Sequence, residues 1–225
     1  MPPNVALLDA SHDVDNASTN FHRVFDGRAR VAEYQVTEGD LPGSFVFDAA
    51  VVSGSPASVY WDEAWIDHLE EWVRRAVEED LPVLGVCFGH QLLARALGGE
   101  VRSMGRYELG YHMVHQDGTG RLFDGVSEWF VAFTAHSDEV TALPPGARPL
   151  ASNNYSLHAF EREPAFGVQF HPEMDLETAR MLMKHRGVDG EHIRHVLREV
   201  SDYHHHRAQE ATAVFDNFLE YVRES

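Results

Sequence analysis

One stretch limits what this chain can fold into more than any other: Pro82-Val83-Leu84-Gly85-Val86-Cys87-Phe88-Gly89-His90-Gln91-Leu92-Leu93-Ala94-Arg95-Ala96-Leu97-Gly98-Gly99. Val83 to Val86 is a short apolar run after a proline and reads as a buried strand. From His90 to Leu97 the apolar residues Leu92, Leu93, Ala96 and Leu97 recur at helical spacing. Gly98-Gly99 closes that helix. Cys87 therefore falls in the turn between strand and helix, with Gly85 and Gly89 on either side.

A tight strand-to-helix turn needs small neighbours and lifts its central side chain into a cleft. The serine version of this pattern, G-x-S-x-G, is the nucleophile elbow. The helix N-terminus below Cys87 carries partial positive charge, which favours thiolate over thiol. The backbone N–H of Phe88 points to where an oxyanion would form. A cysteine that only filled the core would not need the flanking glycines.

A nucleophilic cysteine needs a base, and the base needs an orienting group. Phe166-Gly167-Val168-Gln169-Phe170-His171-Pro172-Glu173 supplies both. It reads as another short apolar strand, ending in His171 and Glu173. Residues two apart in an extended segment point the same way, and Pro172 between them removes conformational freedom. Glu173 can then lie beside one nitrogen of the His171 ring while the other faces Cys87.

The remaining segments supply a frame for these two. Val5 to Ala10 reads as a strand, followed by a polar, loop-like segment from Ser11 to Asn20 and a helix over Thr19 to Phe25. Val31 to Val36 and Ala49 to Val52 read as the next strands. Asp62 to Glu79 is the clearest helix, with Trp65, Ile66, Leu69, Trp72, Val73 and Val77 in one stripe. Strands alternating with helices predict a parallel α/β sheet, open and twisted, with helices on both faces. Beyond Gly99, short strands at Gly110 to His115, Trp129 to Thr134, Pro149 to Ser152 and Leu157 to Phe160 predict a small mixed or antiparallel addition. Leu176 to His185 and His192 to Val222 read as helices, with Asp175 as N-cap of the first. Ala213, Val214, Phe218, Leu219 and Val222 form the apolar face of the last. Three consecutive histidines, His204 to His206, point in three directions on a helix. Metal binding there, or at His192 and His195, is not expected, and a solvated, pH-sensitive face is the reading we adopt.

Of the 225 residues, 44% are hydrophobic, enough for a sizeable core. No low-complexity linker divides the chain. We read one domain over 1–225, with a catalytic core at about 5–186 and C-terminal helices at about 190–222. No apolar run spans a membrane, and Met1-Pro2-Pro3-Asn4 lacks the regions of a signal peptide. The lone cysteine suits a reducing cytoplasm. Acidic residues outnumber basic ones 36 to 18, a net charge of −18, and Lys184 is the only lysine. Such a surface repels phosphates, which argues against a nucleic-acid partner. The charge is spread along the chain, which fits adaptation to a salty cytosol better than a single basic partner.

The Cys87 and His171 stretches together resemble the paired signatures of class I glutamine amidotransferases with a Cys-His-Glu triad, and most of all the GMP synthase-like branch. The likeness runs from about Val5 to Glu173. It implies a flavodoxin-like fold and a triad of Cys87, His171 and Glu173. It also implies an oxyanion hole formed by Phe88 and by Gly54 in Ser53-Gly54-Ser55-Pro56, where many relatives have a second glycine in place of Ser55. By the same resemblance Ser55 and Gln91 border the substrate, and Ala135-His136-Ser137-Asp138 receives its α-amino and α-carboxylate groups. His136 ranks behind His171 as base, because it has no carboxylate two residues on along a strand; Asp138 is expected in a turn.

The implied reaction is hydrolysis of the glutamine side-chain amide through a γ-glutamyl thioester, with no metal or redox cofactor. The ammonia would go to a separate synthetase subunit, since the chain contains no Gly-rich phosphate loop. Two alternatives stay open on sequence: a hydrolase of γ-glutamyl peptides or amines using the same triad, and a catalytically silent regulatory or binding subunit.

Overall fold

The computed structural model describes residues 1–12, 17–118, 120–185 and 202–225. Among the described residues nine strands form one sheet: β1 (Asn4–Asp9), β2 (Arg30–Gln35), β3 (Ala49–Val52), β4 (Val83–Val86), β5 (Glu100–Gln116), β6 (Trp129–Ala142), β7 (Arg148–Ser152), β8 (Leu157–Arg162) and β9 (Ala165–Val168). Their order is 2-1-3-4-9-8-7-5-6. Neighbours from β2 through β9 are parallel, and those from β9 through β6 are antiparallel. The helices are α1 (Ala17–Phe25), α2 (Ala64–Glu78), α3 (Phe88–Ala96), α4 (Leu176–His185), α5 (Asp202–Ala208) and α6 (Ala213–Glu224).

The parallel strands read as unbroken apolar runs because both of their faces are covered. Val5 and Leu7 of β1, with Ala49 and Val51 of β3, pack into a cluster with α1 and α6 through Phe21, Phe25, Phe215 and Phe218. The alternate residues Ala6, Leu8, Ala50 and Val52 join α2 and α3 on the other face. The predicted stripe of α2 is buried residue for residue, with Ala76 added. Fully burying Ile66 and Leu69 contributes about 2 kcal/mol each.

Four sequence expectations change. The strands after Gly99 are not all short: β5 has 17 residues and β6 has 14. β5 carries Glu100, Arg102 and Arg106 at exposed positions, and β6 runs on past its apolar stretch into Ser137, Asp138 and Glu139, so no compact apolar run marks their ends. Asp138 lies within β6, paired with Ser103, and not in a turn. The helix expected from His192 falls partly outside the described residues, as do His192 and His195. Its described part is α5 and α6, joined by a turn of 3₁₀ helix over Gln209–Thr212. Phe215, absent from the predicted apolar face, is fully buried. No helix among the described residues is long and apolar enough to cross a membrane.

Candidate active site

The carboxyl ends of β3, β4 and β9 are adjacent in the sheet, and the cleft outside them is where open α/β sheets bind ligands. Each end delivers one predicted element: Gly54 after β3, Cys87 after β4 and His171 after β9.

Cys87 has φ 54° and ψ −104°, a conformation L-residues rarely adopt. Its surroundings hold it there. Its N–H donates to the Val168 carbonyl at 2.8 Å, and its carbonyl accepts from Gln91 N–H at 3.1 Å. The glycines let three backbones meet. A Cβ on Gly85 would lie 2.3 Å from the Gly89 carbonyl oxygen, and one on Gly89 would lie 2.4 Å from that of Val52. Neither obstacle is a side chain that could swing away. Gly85→Ala is therefore expected to cost about 3 kcal/mol or more, seen as a melting temperature lower by roughly 10 °C in calorimetry.

His171 is fixed by its N–H bond to the Phe133 carbonyl at 2.8 Å. Its Nδ1 lies 2.8 Å from Glu173 Oε1, and the Cys87 Sγ beside it lies 4.0 Å from the Ala135 carbonyl oxygen. All three side chains are nearly enclosed, at 5%, 7% and 1% exposure for Cys87, His171 and Glu173. Burial alone would lower the His171 pKa. The thiolate of Cys87 and the Glu173 carboxylate outweigh it and push the ring up to about 10. Arg23 of α1 donates to the Glu173 backbone carbonyl and holds the end of this segment. Gly54 presses against the other two elements: a Cβ there would sit 3.0 Å from His171 Cε1 and 3.6 Å from Cys87 Cβ. The three chain segments singled out from sequence thus meet at one point.

The predicted substrate segment borders the same cleft. Ser55, Phe88, Gln91, Ala135, His136 and Ser137 all line it. Gln91 spends its side-chain N–H groups on the Asp138 carbonyl and Gln169 Oε1, both at 3.0 Å. Asp138, expected in a turn, is a hub. Its carboxylate accepts from Ser58 Oγ at 2.5 Å and Tyr60 O–H at 2.9 Å, tying the loop after β3 to β6.

His136 does have a carboxylate two residues on along its strand, Asp138, contrary to the sequence reading, but its ring is paired with Glu108 of β5 instead. Glu108 Oε2 lies 2.8 Å from its Nε2, and its Nδ1 lies 2.9 Å from the Asp138 carbonyl. Glu108 stands opposite His136 in the β5–β6 register, a pairing that spacing along the chain does not reveal. With both ring nitrogens engaged away from Cys87, His136 is not a base for it. Glu108 also meets His158 Nε2 at 3.3 Å and accepts from Asn153 Nδ2 at 2.6 Å. Burial works to raise its pKa, but the two histidines hold it well below the usual carboxylate range. Glu108, His136 and His158 have ligand-type atoms within 4.8 Å of one another, and their mutual hydrogen bonds already occupy Glu108. His204 and His205, expected on a solvated face, are half-buried. His204 stacks on Tyr111, and His205 Nδ1 lies 3.0 Å from the Tyr111 hydroxyl. Tyr111 is on β5, whose length hid the contact.

Comparison with known proteins identifies the family. Residues 14–188 match the family model described as glutamine amidotransferase class-I. The chain belongs to that family. Among curated proteins, it is 42% identical over 125 residues to a GMP synthase [glutamine-hydrolyzing] of Thermomicrobium roseum, covering 55% of this chain and 23% of that protein. A GMP synthase [glutamine-hydrolyzing] of Aromatoleum aromaticum is 35% identical over 164 residues, covering 64% of this chain and 30% of that protein. The matched region thus spans less than a third of these curated relatives. Among solved structures, a glutamine amidotransferase of Methylobacillus flagellatus superposes with TM-score 0.81 at 21% identity, covering 98% of this chain and 95% of that one. A Thermotoga maritima glutamine amidotransferase gives TM-score 0.81 at 19% identity, with each chain covered completely. At those identities the likeness establishes the fold: a flavodoxin-like sheet of the class-I amidotransferase kind.

Proposed function

We propose that the protein hydrolyses the side-chain amide of glutamine and releases ammonia for a synthetase partner. The observation that carries this reading is the meeting of Cys87, His171 and Glu173 beneath Gly54. The Cys87 thiolate attacks the amide carbon. The N–H groups of Gly54 and Phe88 hold the oxyanion, each donor lowering the barrier by about 3 kcal/mol. His171 protonates the leaving nitrogen, then activates the water that cleaves the thioester. Glu173 orients the ring and stabilises its charged form, as the acid does in serine triads. Ser55, Gln91, Ala135, His136 and Ser137 border the amino-acid end of the substrate.

These 225 residues contain no Walker-type phosphate loop, so activation of an ammonia acceptor is assigned to residues outside them. A thiol nucleophile that must stay reduced fits the cytoplasm. The test is direct: incubate the purified protein with L-glutamine and follow glutamate and ammonia. Release of both in equal amounts, with loss of activity when a glutamine-like diazoketone labels Cys87, supports the reading. Absence of turnover and of labelling would leave the silent-subunit alternative.

Gly54 gives a second check. In Gly54→Ala the new methyl must push the His171 ring by a few tenths of an ångström or more. The expected result is a fall in kcat of roughly 10–100-fold with little change in melting temperature, because Gly54 is only half-buried.

A further inference from the structure

The two long strands are not evenly paired. Ser103 stands opposite Asp138 and Glu108 opposite His136, so the four residues 104–107 of β5 face only Ser137 of β6. A bulge of this kind re-aims side chains, and bulges gather beside active sites. Neighbours in an extended chain point to opposite sides. Tyr107 lines the cleft at Cys87 together with Gln91, Ser137 and Asp138, whereas Glu108 is fully buried.

The contact of Glu108 with His136 is the first step of a relay. Glu108 Oε2 lies 2.8 Å from His136 Nε2, and His136 Nδ1 lies 2.9 Å from the Asp138 carbonyl oxygen. That oxygen also accepts from Gln91 Nε2 at 3.0 Å. A carbonyl only accepts, so His136 Nδ1 carries hydrogen. Glu108, kept a carboxylate by its two histidines, only accepts as well, so Nε2 carries hydrogen too. A ring that donates twice is positively charged, and Glu108 is the counter-ion in contact with it. A neutral ring donates once. Without the anion, the bond to position 108 or the bond to the Asp138 carbonyl is therefore lost.

We infer that Glu108 is a positioning residue for the substrate: through the His136 ring it fixes the strand segment around Ser137 against the amino-acid end of glutamine. This rests on the hydrolase reading above, in which His136 and Ser137 border that end. Among the described residues the hydrogen bonds of the Glu108 side chain go to His136, His158 and Asn153. None goes to Cys87, His171 or Glu173, so binding and chemistry are separable.

The test uses two reagents for the Cys87 thiolate. A glutamine-like diazoketone must dock its amino-acid end before it reacts, and iodoacetamide has no such end. In Glu108→Gln the diazoketone should label about 10-fold more slowly, the scale of one lost hydrogen bond, with iodoacetamide within about 2-fold of the wild type. With glutamine, KM should rise about 10-fold and kcat change by less than about 3-fold. The ratio of the two labelling rates is read on the same protein, so general loss of folded enzyme cancels. Glu108→Asp keeps the anion on a shorter arm and provides a second variant, with the diazoketone slowed about 3-fold. His136→Asn should slow the diazoketone as Glu108→Gln does. Adding Glu108→Gln to it should change that rate by less than about 2-fold, because the relay is already cut. A diazoketone rate unmoved in both Glu108 variants would overturn the inference and leave the hydrolase reading standing. Equal slowing of both reagents, or losses that add in the double variant, would do the same. A wild type that neither turns over glutamine nor reacts with the diazoketone would overturn both.

Discussion

Cys87→Ala will lower glutamate release from glutamine by about 10⁴-fold or more, the scale seen when a triad nucleophile is removed. The variant keeps the same backbone demand, since alanine at φ 54° is strained as cysteine is. It removes one sulfur from a nearly closed site and no hydrogen bond of the sheet. Apart from the charge interaction with His171 that Cys87 supplies, the melting temperature should therefore move by only a few degrees, the effect of about 1 kcal/mol in a chain this size. The two readings together separate catalysis from folding. Wild-type turnover in the variant would mean that the thioester route is wrong. The residual rate, if measurable, reports what the Gly54 and Phe88 donors achieve with water as nucleophile.

How much of this was legible beforehand depends on burial. β1, β3, β4 and β9 are covered on both faces, so each is an apolar run in the sequence. Val83–Val86 and Ala49–Val52 were read to the residue for that reason. Cys87 stood out because Gly85 and Gly89 are forced by backbone contacts, a constraint that leaves a mark at fixed spacing. His171 and Glu173 stood out because both lie on one short segment. Glu108 and Asp138 did not, because their roles arise from register between β5 and β6 and from a loop about 80 residues away. The wall of the cleft at Cys87 joins Ala17, Pro56 and Leu182 from three distant segments, and no local pattern announces it. Chemistry carried by one segment was readable; chemistry made by tertiary contact was not.

The charge state of His171 leads to the second large effect, a loss of stability at alkaline pH. An unperturbed histidine has a pKa near 6.5, and in the folded protein His171 is pushed up to about 10. That shift requires a charged Cys87, and the unfolded chain keeps the Cys87 proton up to about pH 8.5. Between about pH 8.5 and 10 the folded state therefore binds a proton that the unfolded state does not, and stability falls as pH rises, since its slope follows protons bound unfolded minus protons bound folded. The contribution is fully present below about pH 8.5 and is lost as pH rises through about 10. Denaturant titrations at intervals from pH 6 to 10.5 should show the midpoint declining across this window in the wild type. The proton is held chiefly by Cys87 and then by Glu173. Cys87→Ala should flatten the decline most, and Glu173→Gln should shift it to lower pH. On activity, His171→Ala should cost about 10³-fold or more, since it removes both the proton donor and the thiolate's counter-charge. Glu173→Ala should cost less, because the ring keeps its Cys87 partner and its backbone anchor at Phe133. A wild-type profile flat to pH 10 would mean that thiolate and imidazolium do not coexist at rest. The proton would then have to move from sulfur to His171 during the attack itself.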